Sequence, residues 1–168
     1  MVLTLIVGAV LLAPHPASRA ITPQVVERMI DSYGARATVQ KLSNAVPNET
    51  RTMFGAYDKV LEGVSSGDAR WLALVPKLDL GTDAGSAEFL RIAVAEALPK
   101  NPAGVLRFTS RLSWFRNACG YPMVEPTNRE MRAYFKAAIP ALKAVHDAEL
   151  ARAKRICLTE LVKAQRAP

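Results

Sequence analysis

The stretch from 68 to 106 constrains the fold more than any other, because signals that start and stop helices alternate along it: DARWLALVPKLDLGTDAGSAEFLRIAVAEALPKNPAGVL. Side-chain oxygens suited to cap a helix recur at Asp68, at Thr82 or Asp83, and at Asn101. Between the caps, apolar residues recur at the i, i+4 spacing of one helix face. The stretch therefore predicts three short helices, and such short connections favour antiparallel neighbours.

Proline and glycine mark the predicted ends of these helices. Pro76 lacks a backbone N–H and disfavours helical geometry at the preceding residue, so we expect it to interrupt the first helix. Gly81 then permits a stop, and Pro99 ends the second helix. Pro102 follows the cap at Asn101 and suits the first position of the third helix.

Helical patterns continue on both sides of this stretch. One helix is predicted from Thr22 to about Asn44, with Gly34 inside it, and another from about Thr50 to Ser65. A capping box at 127–130, Thr-Asn-Arg-Glu, begins a helix that contains a proline at position 140, which should kink or divide it. A final helix follows a cap at position 147.

These patterns predict an all-α fold, because no segment shows the clean alternation of a strand. We expect a compact bundle of about six or seven short helices in antiparallel pairs. The pairs 50–78 and 86–115 recur at a spacing typical of helical-hairpin repeats. A short array of the HEAT kind is therefore the alternative architecture.

An apolar run near the amino terminus indicates export. Residues 2–13, VLTLIVGAVLLA, form an apolar segment about half as long as a membrane span. Prolines follow it, and Ser18 and Ala20 place small residues before a cleavage point. We predict a cleaved signal peptide over 1–20, one α-helical domain over 21–168 without a transmembrane helix, and a periplasmic or secreted location. Because no basic residue precedes the run, a buried first helix is the alternative.

Charge is distributed unevenly along the predicted mature chain. Residues 21–100 carry nine basic and ten acidic side chains, whereas residues 101–168 carry twelve basic and five acidic ones. A basic half favours an acidic protein or another anionic surface as partner. Export argues against nucleic acid, and the basic residues lack the interleaved aromatic side chains of a stacking platform.

Two cysteines in the basic half, Cys119 and Cys157, are expected to pair, because an exported protein meets an oxidising compartment. Their pairing would fix the loop 119–126, CGYPMVEP, to the last helix. Rigidly held loops often carry recognition residues, so the candidate binding residues include this loop. They are Tyr121, Met123 and Glu125 in the loop, and Arg107, Arg111 and Arg116, which precede it at the spacing of a shared face.

Catalytic and metal-binding patterns are missing from the sequence. Beyond the predicted signal, His146 is the single histidine, so a nucleophilic triad would have to use it. No spacing typical of a metal site, a P-loop or a dinucleotide-binding motif occurs. We therefore predict a protein that is not an enzyme and needs no metal or cofactor.

The sequence accordingly predicts a small exported helical protein that binds another protein of the envelope or exterior, as an inhibitor, immunity-type protein or adaptor does. A hydrolase acting on an anionic wall polymer is the alternative, with two carboxylates as acid and base. Association with anionic lipid surfaces is a third. The carboxylates available to the hydrolase are Glu27, Asp31, Glu62, Asp68, Glu88, Glu96, Glu125 and Glu130.

Overall fold

The computed structural model describes residues 20–45, 53–122 and 126–166. Within these ranges the chain forms nine α-helices, one short 3₁₀ turn and no strand, so the predicted all-α class is confirmed. The helices are α1 Pro23–Tyr33, α2 Ala35–Asn44, α3 Tyr57–Ser65, α4 Ala69–Asp79, α5 Ala84–Ala97, α6 Pro102–Thr109, α7 Phe115–Ala118, α8 Asn128–Lys143 and α9 Ala151–Arg166, with the 3₁₀ turn at Ala148–Leu150. The predicted signal peptide, apart from its last residue, lies outside the described residues.

The predicted caps begin these helices. The backbone N–H of Arg70 donates to Asp68 Oδ1 at 2.8 Å, and that of Gly104 donates to Asn101 Oδ1 at 2.9 Å. Thr22 accepts from the first turn of α1 in the same way. Asp83 and Thr127 each form a reciprocal capping box, at α5 and α8. Polar side chains at these starts satisfy N–H groups that would otherwise lack partners.

Two prolines lie inside helices, Pro76 in α4 and Pro140 in α8. The predicted interruption at Pro76 is wrong, because α4 continues through it to Asp79. Proline removes one helical hydrogen bond, but its neighbours Val75 and Leu78 are fully buried, and this apolar burial holds the helix together. Pro140 likewise lies inside α8, which is not divided there.

The expected number of helices is too low, because a glycine divides the predicted first helix. Gly34 has φ +78°, a conformation that glycine adopts without the steric cost of a Cβ atom. Its N–H donates to the carbonyl of Ile30 at 2.8 Å and ends α1, and α2 begins at the next residue. A turn over 110–114 similarly separates α6 from α7.

Two helical hairpins stack at the centre of the molecule. The most extensive helix contact is between α3 and α5, and α4 packs on α6 beside it. The pair α1 and α2 covers α4 on one side, while the pair α8 and α9 adjoins α6 and α7 on the other. The stacking resembles the alternative hairpin array locally, but repeat arrays need at least three units. The arrangement is a compact bundle around one contiguous apolar core.

Candidate interaction surface on α8 and α9

A disulfide joins Cys119, which caps the end of α7, to Cys157 in the middle of α9. Both residues are fully buried. The predicted pairing is therefore confirmed, and it attaches the start of the loop 119–126 to the last helix. Disulfides persist in oxidising compartments, so this bond is compatible with an exported location.

The loop residue Tyr121 lies beside α8. Its side chain is 37% exposed, and its ring meets that of Phe135 edge to face, with the ring centroids 6.3 Å apart. Such aromatic pairs stabilise a contact beyond the area they bury. The other two predicted loop residues, Met123 and Glu125, lie outside the described residues.

The three predicted arginines are held at separate places. Arg107 Nη2 lies 2.9 Å from Asp147 Oδ2, and Arg116 Nη1 lies 2.6 Å from Glu160 Oε1. These two carboxylates are about 20 Å apart along the α9 segment, from the rise per helical residue. Arg111 is exposed in the turn between α6 and α7. Two of the arginines thus tie neighbouring helices to the last hairpin at distant points.

A groove between α8 and the end of α9 was not anticipated from the sequence. Its volume is about 660 Å³, within the size range of ligand sites. Phe135, only 4% exposed, and the half-buried Met131 are its apolar residues on α8. The residues that line it are Asn128, Met131, Arg132, Phe135 and Lys136 on α8, and Ala164 and Gln165 on α9.

On α9, apolar side chains form a ridge that lines a second depression, which shares no lining residue with the groove. Leu158 and Val162 are half-buried, and with Gln165 they follow the i, i+4, i+7 spacing of one helix face. Lys163 and Arg166 line the outer side of this ridge and are exposed. We call the groove and the ridge together the α8–α9 surface.

All of the charged side chains in the described lining of the α8–α9 surface are basic. Its four cations, Arg132, Lys136, Lys163 and Arg166, form no ion pair within the described part of the chain. No carboxylate belongs to the described residues that line the groove and ridge. These cations are therefore available to an anionic partner.

The nearby acids are occupied by the fold. Glu130 Oε2 accepts from the hydroxyl of Thr127 at 2.6 Å and from its N–H at 2.8 Å. These hydrogen bonds lower the pKa of Glu130, so its carboxylate remains ionised within the capping box. Glu160 is held by Arg116, and Asp147 both accepts from the N–H of Glu149 and pairs with Arg107.

The sequence contained part of the signal for this surface. Arg132 and Lys136 adjoin the apolar positions Met131 and Phe135, so cations flank an apolar stripe on α8. That pattern is equally typical of a helix whose apolar side enters the core and whose charges face water. The register of α9 against α8, which creates the groove, depends on tertiary packing and has no local sequence signature.

A second cleft lies between α3 and α5, where the side chains of Leu61, Phe89 and Ile92 surround three carboxylates. These belong to Asp58, Glu62 and Glu96. Desolvation raises the pKa of Glu96, which the nearby Lys100 partly opposes. The described ranges, this cleft included, contain no group of His, Cys, Asp and Glu side chains arranged to hold a metal ion.

Comparison with known proteins yields no relative for this chain: no family model, no curated protein and no solved structure matches it. None of the helices described above is both long and apolar enough to cross a bilayer.

Proposed function

We propose that this chain is an exported, non-enzymatic binding protein whose α8–α9 surface recognises an acidic protein partner. The observation that supports the proposal is a groove that combines the apolar residues Met131 and Phe135 with the cations Arg132 and Lys136, and that has no carboxylate among its described lining residues. Apolar anchors in a recess supply binding energy. Complementary charge around them supplies orientation and a faster encounter.

A protein fits this surface better than a lipid bilayer does. Interfacial membrane binding depends on apolar side chains that project into the headgroup region. Here Phe135 is buried at the floor of the groove, and Met131, Leu158 and Val162 are half-buried. A partner side chain can enter such a recess, whereas a planar surface would touch mainly its cationic rim.

The test is a pull-down of envelope proteins with the purified mature chain, its disulfide intact, at moderate salt. We expect one stoichiometric acidic partner, which should be lost with the double variant Arg132→Glu/Lys136→Glu. The matched control is Arg28→Glu/Arg36→Glu, which makes the same change in net charge on exposed positions of α1 and α2. Equal capture by both variants, or no partner from cells that express one, would reject the proposal.

The position of Tyr121 allows a finer test. Because its ring packs on Phe135, replacement by alanine should expose the edge of the groove and weaken capture of the same partner. The effect should be smaller than that of the charge reversal, since the described contact involves one aromatic pair. Unchanged capture would exclude the loop from the binding surface.

A hydrolase acting on an anionic wall polymer is the second candidate, supported by the α3–α5 cleft. There Glu96, whose raised pKa favours the protonated form, shares an apolar cleft with Glu62, whose carboxylate lies 2.8 Å from Lys59 Nζ. Glycoside hydrolysis by a pair of carboxylates uses one acid whose pKa is raised. Release of labelled fragments from wall polymer, abolished by Glu96→Gln, would establish this activity. Intact polymer after prolonged incubation would exclude it.

A further inference from the structure

The walls of the α8–α9 surface restrict the backbone form that a protein partner can present. Both walls are α-helices, and away from the helix ends their backbone N–H and C=O groups are bonded within each helix. A partner strand would need unpaired backbone groups at a sheet edge, and the described part of the chain has no sheet. A helix needs only a groove for one of its faces.

The dimensions of the surface also suit a helix. The α8 lining runs from Asn128 to Lys136, and the α9 ridge runs from Leu158 to Gln165. At the helical rise per residue, the α8 lining is about 12 Å long, or roughly two turns. The α9 residues that line the groove itself are Ala164 and Gln165. Two turns of a partner helix present apolar anchors at i, i+3 or i+4, and i+7.

The positions of the cations predict the charge of that helix. Arg132 and Lys136 line the α8 wall, while Lys163 and Arg166 line the outer side of the α9 ridge. A helix lying along the groove would therefore meet Arg132 and Lys136 on the side of the α8 wall. Acidic side chains beside its apolar stripe would pair with them, whereas basic ones would be repelled.

We infer that the α8–α9 surface binds a short amphipathic helix with acidic residues flanking its apolar face. This inference rests on the proposed function, and it adds the form and charge pattern of the partner. The apolar anchors enter the recess over Phe135 and Met131, and the flanking carboxylates pair with Arg132 and Lys136. Because the ion pairs lie at the rim, salt should weaken binding without abolishing it.

The test uses three fluorescein-labelled synthetic peptides of about 15 residues, a length at which an isolated helix is marginal in water. The first has leucine at i, i+3, i+4 and i+7 and glutamate on both flanks. The second is a scrambled peptide of identical composition, and the third replaces each glutamate by lysine. Fluorescence anisotropy measures their binding to the disulfide-intact mature chain at near-physiological salt.

We expect the acidic helical peptide to bind at least about tenfold more tightly than either of the other peptides. Its affinity should fall by about tenfold or more with Arg132→Glu/Lys136→Glu. The control variant Arg28→Glu/Arg36→Glu should bind it normally. Circular dichroism should show unchanged helical content in both variants and a gain of peptide helicity on binding.

Equal binding of the scrambled peptide would overturn the inference, because charge alone would then explain the interaction. Binding that survives the charge reversal on α8 would also overturn it. Two further assays cover other occupants: flotation with anionic phosphatidylglycerol vesicles, and sedimentation of the chain alone. Vesicle binding without peptide binding would mean that the surface binds lipid and not a helix. Self-association that is lost on reversing the α8 charges would mean that it binds a second copy of the chain.

The inference and the proposed function can fail separately. If the pull-down yields an acidic partner that depends on Arg132 and Lys136 while no acidic helical peptide binds, the partner uses another backbone form. In that case the proposed function stands, and the inference that the partner presents a helix is rejected. If neither the pull-down nor the peptides show binding, both are rejected.

Discussion

The amino-terminal helices and the last hairpin differ in how many of their cations form ion pairs, since several do in the first region and none of the described cations of α8 and α9 does. In the first region, cations contact acids on the same or neighbouring helices: Lys77 Nζ lies 3.0 Å from Glu27 Oε1, and Arg70 Nη2 lies 2.7 Å from Asp68 Oδ2. In α8 and α9, Glu130 is bonded within a helix cap and Glu160 pairs with Arg116 of α7. The cations Arg132 and Lys136 remain exposed. The location of cations without an ion pair is therefore a better guide to a candidate binding surface than net charge is.

The central hairpins and the last hairpin also differ in the interactions that attach them to the remainder of the fold. The central hairpins are joined by apolar packing, with α3 on α5 and α4 on α6, in a core that includes the fully buried Leu72, Leu78 and Leu90. The last hairpin contacts the remainder through α6 and α7 and carries the disulfide. Covalent attachment should matter more there than any single side-chain contact.

Removing the disulfide should have the largest effect. The cysteines are 38 residues apart in sequence, and the chain-entropy relation for a loop of that length gives about 4 kcal/mol of stabilisation. Cys119→Ser/Cys157→Ser should lower the free energy of unfolding by roughly that amount, as measured by urea denaturation with and without reductant. Wild-type protein in reductant is the control and should approach the variant. An unchanged midpoint in reductant would contradict the prediction.

Adding one methyl group at Gly63, in the central stack of helices, should destabilise the fold. Gly63 on α3 faces Trp71 on α4, and a Cβ atom at Gly63 would overlap the indole ring. Gly63→Ala should therefore destabilise the fold by about 1–3 kcal/mol through overpacking, although alanine favours helix more than glycine does. Chemical denaturation measures the change in the free energy of unfolding.

Gly85→Ala on α5 is the control, because its Cβ atom would meet Phe54 at ordinary contact distances of 3.7 Å and more. This variant should be neutral or stabilising. The idea fails if both variants behave alike.

Two buried tyrosines provide a smaller, matched comparison. The hydroxyl of Tyr134 on α8 donates to the carbonyl of Ala95 at 3.0 Å, whereas that of Tyr57 on α3 has no hydrogen-bond partner within the described residues. Burial raises the pKa of both hydroxyls, so both remain protonated at neutral pH. Tyr134→Phe should cost about 1 kcal/mol, while Tyr57→Phe should be neutral or stabilising. Thermal melts of the two variants decide this, and a larger loss for Tyr57→Phe would contradict it.

Sequence analysis anticipated the local chemistry of the fold well. The caps at Asp68, Asp83, Asn101 and Thr127 are formed as expected, because capping depends on residues a few positions apart. The disulfide was predicted from the cysteine count and the expected compartment, and the structure contains it. Both predictions required no knowledge of how the helices pack.

Predictions that depended on packing were less successful. Pro76 was expected to interrupt α4, but burial of the surrounding residues outweighs the lost hydrogen bond. Gly34 was placed inside a helix, yet its positive φ ends α1. The groove was missed for the same reason, since it exists only where α9 passes α8. Local sequence determines where helices begin, whereas the interaction surface results from their register.

The smallest predicted effect concerns Glu96 and the pH dependence of stability. Desolvation raises the folded-state pKa of Glu96, although Lys100 opposes the shift. The folded chain therefore retains this proton to a higher pH than the unfolded chain does. As the pH rises through the interval between the unfolded and the folded pKa, the native state loses stability, because a charge must then form in a partly desolvated cleft.

Glu96→Gln removes this titration and should separate a structural role from a catalytic one. The variant should be more stable than the wild type above the interval, and the difference should be smallest at acidic pH, where the wild-type carboxyl is protonated in both states. Urea denaturation across a pH series measures it, with Glu88→Gln on the same helix as control, since Glu88 Oε2 lies 3.6 Å from Arg91 Nη1. A gain in stability together with unaltered partner capture would make Glu96 a tolerated desolvated acid and confine recognition to α8 and α9. A stability difference that is independent of pH would show that the raised pKa is not its cause.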